Sequence, residues 1–407
     1  MPRPAAIAVT GVGIVTAYGL GSDVLLDGLS ACRSAISPLS IFSNPLAHQP
    51  VVGQVSVALD VEVPRGYRFS RTDRMAVLAA RQVAGLLPQS DQDRRTCAVV
   101  VGTTVGGLSD LPPAVARTPR LYYRQGGLGP ASTYPVSHVA DAVAAALDVG
   151  GPRLGVSVAC ASGAMAIAIA AGMILDGRTR VALAGGSDAL CPFTLAGFEA
   201  LQALDGQPCR PFCRTRAGLN LGEGAGMLLL EDLSYAQERG ATVLARLDGW
   251  AFTNDAFHST APADDGRGLS RCMELAMQMA AVRPDQIGYV NAHGTGTQLN
   301  DVAEAKAYER LFSGRSTPVP VSSTKSHLGH TLGAAGAVEA IITVLALRAG
   351  RLFPTLRMVE PIESQSVEFL RGETRQAPME AAMSASAGFG GSNAALVFSQ
   401  RDTSEGR

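Results

Sequence analysis

The sequence predicts an α/β protein of layered architecture made of two similar halves, and three observations carry that expectation. Strand-like apolar runs that end in glycine alternate with Ala-rich helical stretches along the chain. Each half follows one plan: an opening strand, a helix, a strand closing on a glycine turn, then a buried helix rich in Ala and Gly. Glycine makes up 45 of the 407 residues, well above the roughly 7% usual in soluble domains. The backbone must therefore turn tightly, or approach something closely, at many points.

Taken in order, the strands are read at IAVTGVGIV (7–15), CAVVVGTTVGG (97–107), VALAGGSDA (181–189), GMLLLED (226–232) and IGYVNAHGTGT (287–297). Each is rich in β-branched or other apolar residues and most carry glycine at the exit. Helices are expected at 73–86, 138–147, 161–176, 269–281, 300–312 and 333–349, where Ala and other good helix formers dominate. The stretch 232–250 reads as a helix leading into a new strand. That places the division near residue 240, with 1–240 forming an N-terminal half and 241–407 a C-terminal half. The two Ala/Gly-rich helices, one after Cys160 and one after His330, are expected to stack in a central layer, since small residues let helices approach closely. No short-period repeat is visible, and the tail from Arg401 is expected to fray.

Composition narrows the function. With 47% apolar residues, 17% charged residues and a net charge of −1, the chain suits a soluble globular protein rather than a disordered one. The balanced charge gives no support to a nucleic-acid-binding face. No apolar run is expected to reach the ~18–20 residues of a membrane span; the most apolar stretch, Ala164 to Leu175, reads as a buried helix. The N-terminus lacks the long apolar region and cleavage site of a signal peptide, so a cytoplasmic location is expected. The seven cysteines, at 32, 97, 160, 191, 209, 213 and 272, are odd in number and scattered, as suits a reducing compartment. Cys209 and Cys213 have no second Cys/His pair at zinc spacing, and no metal site is expected.

The strongest chemical signal is VSVACASGAMAIAIAAGMILDG, residues 156–177. A strand is read as ending at Ala159, with Cys160 at the turn into a long apolar helix. Such a turn presents a side chain beside the positive helix end, which favours a thiolate, and beside unpaired N–H groups that can hold an oxyanion. A buried structural cysteine is the alternative on this segment alone. Two histidine motifs tilt the reading toward catalysis: NAHGTGT sets His293 at a strand end, and KSHLGHTLGAAGAVEA sets His327 and His330 before a helix. GTGT lacks the spacing of a nucleotide-binding loop.

VACASGA, NAHGTGT, STKSHLGHTLGAAG and AGFGGSN occur in this order, and with LGEGAGMLLLED (221–232) they make the chain closely resemble the elongating β-ketoacyl-acyl-carrier-protein synthases, from VTGVGIVTAYG to the final strand. The resemblance implies the thiolase fold: two pseudo-repeated halves in a five-layered α-β-α-β-α sandwich. It implies decarboxylative Claisen condensation, with Cys160 carrying the acyl group, His293 and His330 stabilising the enolate of a malonyl thioester, and Lys325 and Glu339 as a charged pair behind them. The N–H groups of Cys160 and Phe389 match the oxyanion hole, and Thr295 and Thr297 match residues that bond the phosphopantetheine arm. His327 is expected to be structural. No bound cofactor is implied, because malonate's own carboxylate is the source of the carbanion.

The implied partner is an acyl carrier protein, an acidic protein for which Arg65, Arg68, Arg71 and Arg74, with Arg210, offer a basic dock. A homodimer is implied, or a heterodimer with a homologous chain-length-factor subunit. Val105, Phe198 and Phe389 are expected to line the acyl pocket. The fatty-acid members usually carry a larger residue at the place of Val105 and Phe at the place of Ala387. Both departures point to a longer, stiffer or unsaturated acyl chain, as in a specialised polyketide or polyene pathway. Two other readings differ in their motifs. A catalytically inactive chain-length factor typically lacks the nucleophilic cysteine, and a thiolase acting on coenzyme A esters needs a second cysteine near the C-terminus, whereas the last here is Cys272.

Overall fold

The computed structural model describes residues 7–110 and 130–400, so the tail from Arg401 lies outside the described residues. The first half contributes strands β1 (Ile7–Thr16), β2 (Ala98–Gly102), β3 (Arg153–Val156), β4 (Val181–Asp188) and β5 (Gly224–Asp232). The second contributes β6 (Ala245–Asn254), β7 (Ile287–Asn291), β8 (Val319–Ser322), β9 (Val367–Phe369), β10 (Ala381–Gly388) and β11 (Ser392–Ser399). Their spatial order is β1-β5-β4-β2-β3 in one half and β6-β11-β10-β7-β8 in the other, with β9 beyond β8. In each set the first two pairings are antiparallel and the next two parallel. The halves are thus copies of one topology, and they meet edge to edge where β1 pairs with β6.

The helices repeat in the same way. α1 (Arg71–Arg81), α2 (His138–Leu147) and α3 (Ser162–Leu175) belong to the first half; α4 (Arg267–Ala280), α5 (Gln298–Phe312) and α6 (Ala335–Ala349) belong to the second. Alternation within β2 shows how the layers arise. Val99 and Val101 face outward onto Met75, Val77, Val139 and Val143 of α1 and α2. Ala98 and Val100 face inward, onto Ile167 of α3 and Ile341 of α6. With both faces covered, the strand reads as a continuous apolar run. α4 and α5 cover the outer face of the second half, against Val290, Met383 and Val397. Helix, sheet, paired central helices, sheet and helix make the five layers of the thiolase fold.

The central helices cross at two glycines. A β-carbon on Gly163 would lie 2.8 Å from the Ala337 nitrogen, and one on Gly336 would lie 2.7 Å from the Ala164 nitrogen. Only hydrogen fits between the backbones there, which accounts for part of the glycine excess. The expectation that no apolar run reaches membrane-spanning length is corrected here. Leu332–Ala349 is an 18-residue helical stretch of mean hydropathy 1.7 and is 89% buried. It contains α6 and, apart from Glu339, Thr343 and the exposed Arg348, is apolar because the core surrounds it. Two strand readings were also too long: β2 stops at Gly102 and β7 at Asn291. Beyond each, the glycines and threonines leave the sheet to build the site.

Candidate active site

Cys160 stands between β3 and α3. The strand ends at Val156 rather than Ala159, and the chain turns through Ala159 at a φ of 46°. A left-handed alanine costs about 1–3 kcal/mol and persists only where its surroundings hold it. The hold is Ser162, whose hydroxyl accepts from the Val158 N–H at 2.8 Å and donates to the Ala159 carbonyl at 2.6 Å. Gly388, at the end of β10, lies against this turn; a β-carbon there would sit 3.2 Å from the Cys160 nitrogen. The next residue, Phe389, donates its backbone N–H toward the Cys160 sulfur. The helix start does not make Cys160 a ready thiolate, contrary to expectation. Burial pushes the thiol up to about 12, against which Lys325 and the Phe389 N–H pull only partly.

His293 follows β7, and its loop is fixed by two buried carboxylates on the first turns of α5. Glu304 accepts from the N–H groups of His293 and Gly294, both at 2.7 Å. Asp301 accepts from those of Thr295 and Gly296 at 3.1 Å. Reading the sequence missed both acids. Their signal was present as Asp and Glu one turn apart just after GTGT, where orphan N–H groups cluster. His330 lies in the segment between the short helical turn Lys325–Leu328 and α6.

Both histidines are buried and neutral, their pKa values held well below 6.5 by desolvation and by Lys325. Their tautomers follow from their partners. The Leu332 N–H donates to His330 Nδ1 at 3.2 Å. The Lys325 ammonium stands 3.2 Å from His293 Nδ1. Each Nδ1 therefore accepts, and each Nε2 carries the proton and serves as a donor. Lys325 Nζ also bonds the His293 carbonyl at 2.6 Å and pairs with Glu339. Burial pushes Glu339 up to about 7, with Lys325 opposing.

The Cys160 sulfur and nitrogens of His293 and His330 lie within 4.8 Å of one another, and the imidazole planes are nearly perpendicular at 84°. Such a cluster has metal-ligand spacing. However, the ammonium behind His293 works against a cation there and favours a developing anion. A cavity of about 270 Å³ opens over the three side chains, with Phe198, Thr295, Thr297 and Phe389 among its lining residues. The rings of Phe198 and Phe389 stack at 5.5 Å, and the hydroxyls of Thr295 and Thr297 are 2.9 Å apart.

The structure thus gathers Cys160, His293, His330, Lys325, Glu339, Thr295, Thr297, Phe198 and Phe389 into one place. Val105 lies in an adjoining apolar cluster with Leu195, Leu219 and Leu332, against which Phe198 packs. His327 is buried apart from the pair, with Nε2 on the Pro354 carbonyl and Nδ1 on the Tyr18 hydroxyl. Among the arginines, Arg65 and Arg68 are exposed. Arg71 is corrected as a docking residue: its guanidinium turns inward to a paired contact with fully buried Glu223 and to the Val55 carbonyl. Burial of the Glu223 carboxylate demands a fixed counter-charge, so Arg71 is committed to the fold. Arg74 bonds the Phe69 and Leu59 carbonyls. Arg210 is half-buried, bonded to the Thr215 carbonyl and 3.8 Å from Asp205.

Comparison with known proteins agrees along nearly all of the chain. Residues 5–236 match the β-ketoacyl synthase N-terminal domain and residues 244–359 its C-terminal domain. The chain is 35% identical to 3-oxoacyl-[acyl-carrier-protein] synthase 2 of Rhizobium meliloti, covering 96% of this chain and 98% of that protein. Among solved structures, it resembles the ishigamide ketosynthase/chain length factor at 30% identity and a TM-score of 0.87, over 98% of this chain and 100% of that one. It also resembles a chain of the AntDE:AntF assembly, a type II polyketide synthase acyl-carrier protein in complex with its ketosynthase bound to the hexaketide. There the identity is 28% and the TM-score 0.85, again over 98% and 100% of the two chains. The chain belongs to the β-ketoacyl synthase family, and it is an acyltransferase of the ketosynthase class.

Proposed function

We propose that the chain elongates an acyl group held on Cys160 by decarboxylative condensation with a malonyl group on acyl carrier protein, residues 1–240 supplying the nucleophile and 241–407 the histidines. One observation carries the reading: a buried thiol faces two neutral imidazoles, each with Nε2–H free to donate, in one cavity.

In the first half-reaction the Cys160 sulfur attacks the thioester carbonyl of the incoming acyl carrier. The oxyanion rests on the N–H groups of Cys160 and Phe389. The bond to the pantetheine sulfur breaks, and the thiol proton leaves with that sulfur. An attacking thiol that starts protonated keeps the empty enzyme from being a standing thiolate. In the second half-reaction the malonyl carboxylate leaves as carbon dioxide, and its electron pair passes into the thioester as an enolate. The enolate oxygen takes hydrogen bonds from His293 and His330, which bind it more strongly as its charge grows. The enolate carbon then attacks the acyl-Cys160 carbonyl, and the Cys160 sulfur departs and regains a proton. Thr295 and Thr297 hold the phosphopantetheine arm at the mouth; no bound cofactor takes part.

The acyl chain runs past Phe389, beside Phe198 and toward Val105. Ala387, which also lines the cavity, leaves space where fatty-acid relatives usually have Phe. This supports a specialised polyketide or polyene substrate over a housekeeping fatty acid, as does the likeness to the ketosynthase of a type II polyketide synthase. Arg65, Arg68 and Arg210 remain as the basic dock for the carrier. The active form is a homodimer, or a heterodimer with a chain-length-factor homologue; size exclusion after co-expression distinguishes them. The function is tested by incubating the protein with acyl and malonyl carrier proteins and identifying a 3-ketoacyl carrier by mass spectrometry. Faster loading of polyunsaturated than saturated chains is expected; preference for saturated chains would count against the pathway assignment.

A further inference from the structure

Asp188 is a titratable group that neither the sequence motifs nor the mechanism uses. It ends β4, is fully buried, and accepts five hydrogen-bond donors from neutral groups. Its Oδ1 takes the Thr103 hydroxyl and the N–H groups of Thr104 and Val105, the latter two at 3.1 Å. Its Oδ2 takes the Thr104 N–H at 2.8 Å, the Thr104 hydroxyl at 2.5 Å and, from the other side of the site, the Gly333 N–H at 2.6 Å. Burial raises its pKa while these donors oppose the rise. Three backbone N–H groups that can only donate suit an ionised carboxylate.

What lies on each side gives the contact meaning. Gly333 follows Leu332, whose N–H donates to His330 Nδ1 and so sets that ring's tautomer. Leu332 sits at a φ of 54°, a left-handed conformation that a leucine keeps only when held. The hold is the next N–H along, bonded to Asp188. On the far side, the same carboxylate fixes the Thr103–Val105 segment that leads to the apolar cluster beside the cavity.

We infer that Asp188 is a positioning residue that clamps the Thr103–Val105 segment to the turn after His330, holding the imidazole tautomer that decarboxylation needs. The inference rests on the condensation reading and goes beyond it by assigning this carboxylate a role in one half-reaction. An amide cannot replace it. Whichever way the side chain introduced by Asp188→Asn were turned, its NH2 would face a backbone N–H, that of Val105 or that of Gly333.

The test is Asp188→Asn, with loading of Cys160 and release of carbon dioxide from malonyl carrier measured separately. Decarboxylation is expected to fall about 10- to 100-fold while loading is maintained. The carboxylate's charge lies close enough to Cys160 to raise its pKa, so alkylation of Cys160 by iodoacetamide should begin at lower pH in the variant. A merely structural role would lower both half-reactions together, whereas the alkylation shift reports the ionised carboxylate itself. Gly333→Ala probes the clamp from the other side, because the added methyl would lie 2.6 Å from Asp188 Oδ2. It should reduce decarboxylation without moving the alkylation profile, and it carries the test if Asp188→Asn does not fold. Decarboxylation within twofold of wild type in both variants, or equal losses in loading and decarboxylation, overturns the inference. A wild-type enzyme that loads Cys160 but releases no carbon dioxide overturns the condensation reading instead.

Discussion

Cys160 and His330 stand at corresponding places in the two halves, each ahead of the small-residue helix that its half sends into the central layer. The surroundings then diverge. Ahead of α3 the chain makes one strained turn at Ala159 and presents a sulfur beside backbone N–H groups. Ahead of α6 a further helical turn, Leu332–Ala334, intervenes, and an imidazole points its Nε2 at the same cavity. The corresponding strand ends differ as well. β4 ends on Asp188, which braces the histidine side, whereas β10 ends on Gly388, whose lack of a side chain lets Phe389 reach the cysteine. In the proposed mechanism, one topology used twice supplies a nucleophile from one copy and a charge-stabilising group from the other. Because the helices cross at Gly163 and Gly336, the two chemistries meet.

If that division of labour holds, breaking the first half should have the largest effect. Cys160→Ala is expected to abolish covalent loading, read as the absence of an acyl adduct by intact-protein mass spectrometry. Breaking the support of the second half comes next. Lys325→Met leaves Glu339 buried without its counter-charge and should lower stability by about 3–5 kcal/mol in denaturant unfolding. Removing a donor itself, in His293→Ala or His330→Ala, should cut carbon dioxide release by roughly 10²–10³-fold while the acyl adduct still forms. The seam between the halves is tested by Gly163→Ala. Its methyl meets the Ala337 nitrogen at 2.8 Å, and the overpacking should cost about 1–3 kcal/mol by the same unfolding assay.

The smallest effect is on pH dependence. Burial lowers the pKa of His330 in the folded state, so the unfolded chain takes up the proton first. The contribution of this group is full above about pH 6.5 and is lost as pH falls through that value. His330→Gln should therefore flatten the decline of stability between about pH 6.5 and 5. Glu304 and Glu339, raised to about 7, act in the opposite sense and are common to both proteins, so the difference isolates the histidine. An unchanged slope would mean that His330 is charged in the fold.

Legibility followed the locality of each signal. The helices at 138–147 and 161–176 stood out because alanine and other apolar residues dominate both, and they fold as His138–Leu147 and Ser162–Leu175. Short elements such as Ser22–Ser30 and Pro192–Ala200 offered too few turns for a period to show. In the site, Cys160, His293 and His330 are residue types whose chemistry is visible in isolation. Asp188, Asp301 and Glu304 act by accepting backbone N–H groups brought to them by folding, and an isolated acid in a sequence reads as a solvated one. The same blindness affected Arg71, whose partner Glu223 is distant along the chain, and the thiol of Cys160, where burial outweighed the helix end.

The central claim is that the first half supplies the nucleophile for loading and the second half the histidine donors for decarboxylation. It is tested most directly by following one enzyme sample through both steps by mass spectrometry, first with acyl carrier and then with malonyl carrier. Wild type should pass from acyl-Cys160 to free enzyme as 3-ketoacyl carrier appears, and His330→Ala should stop at acyl-Cys160. An acyl adduct or condensation product formed by Cys160→Ala would contradict the account.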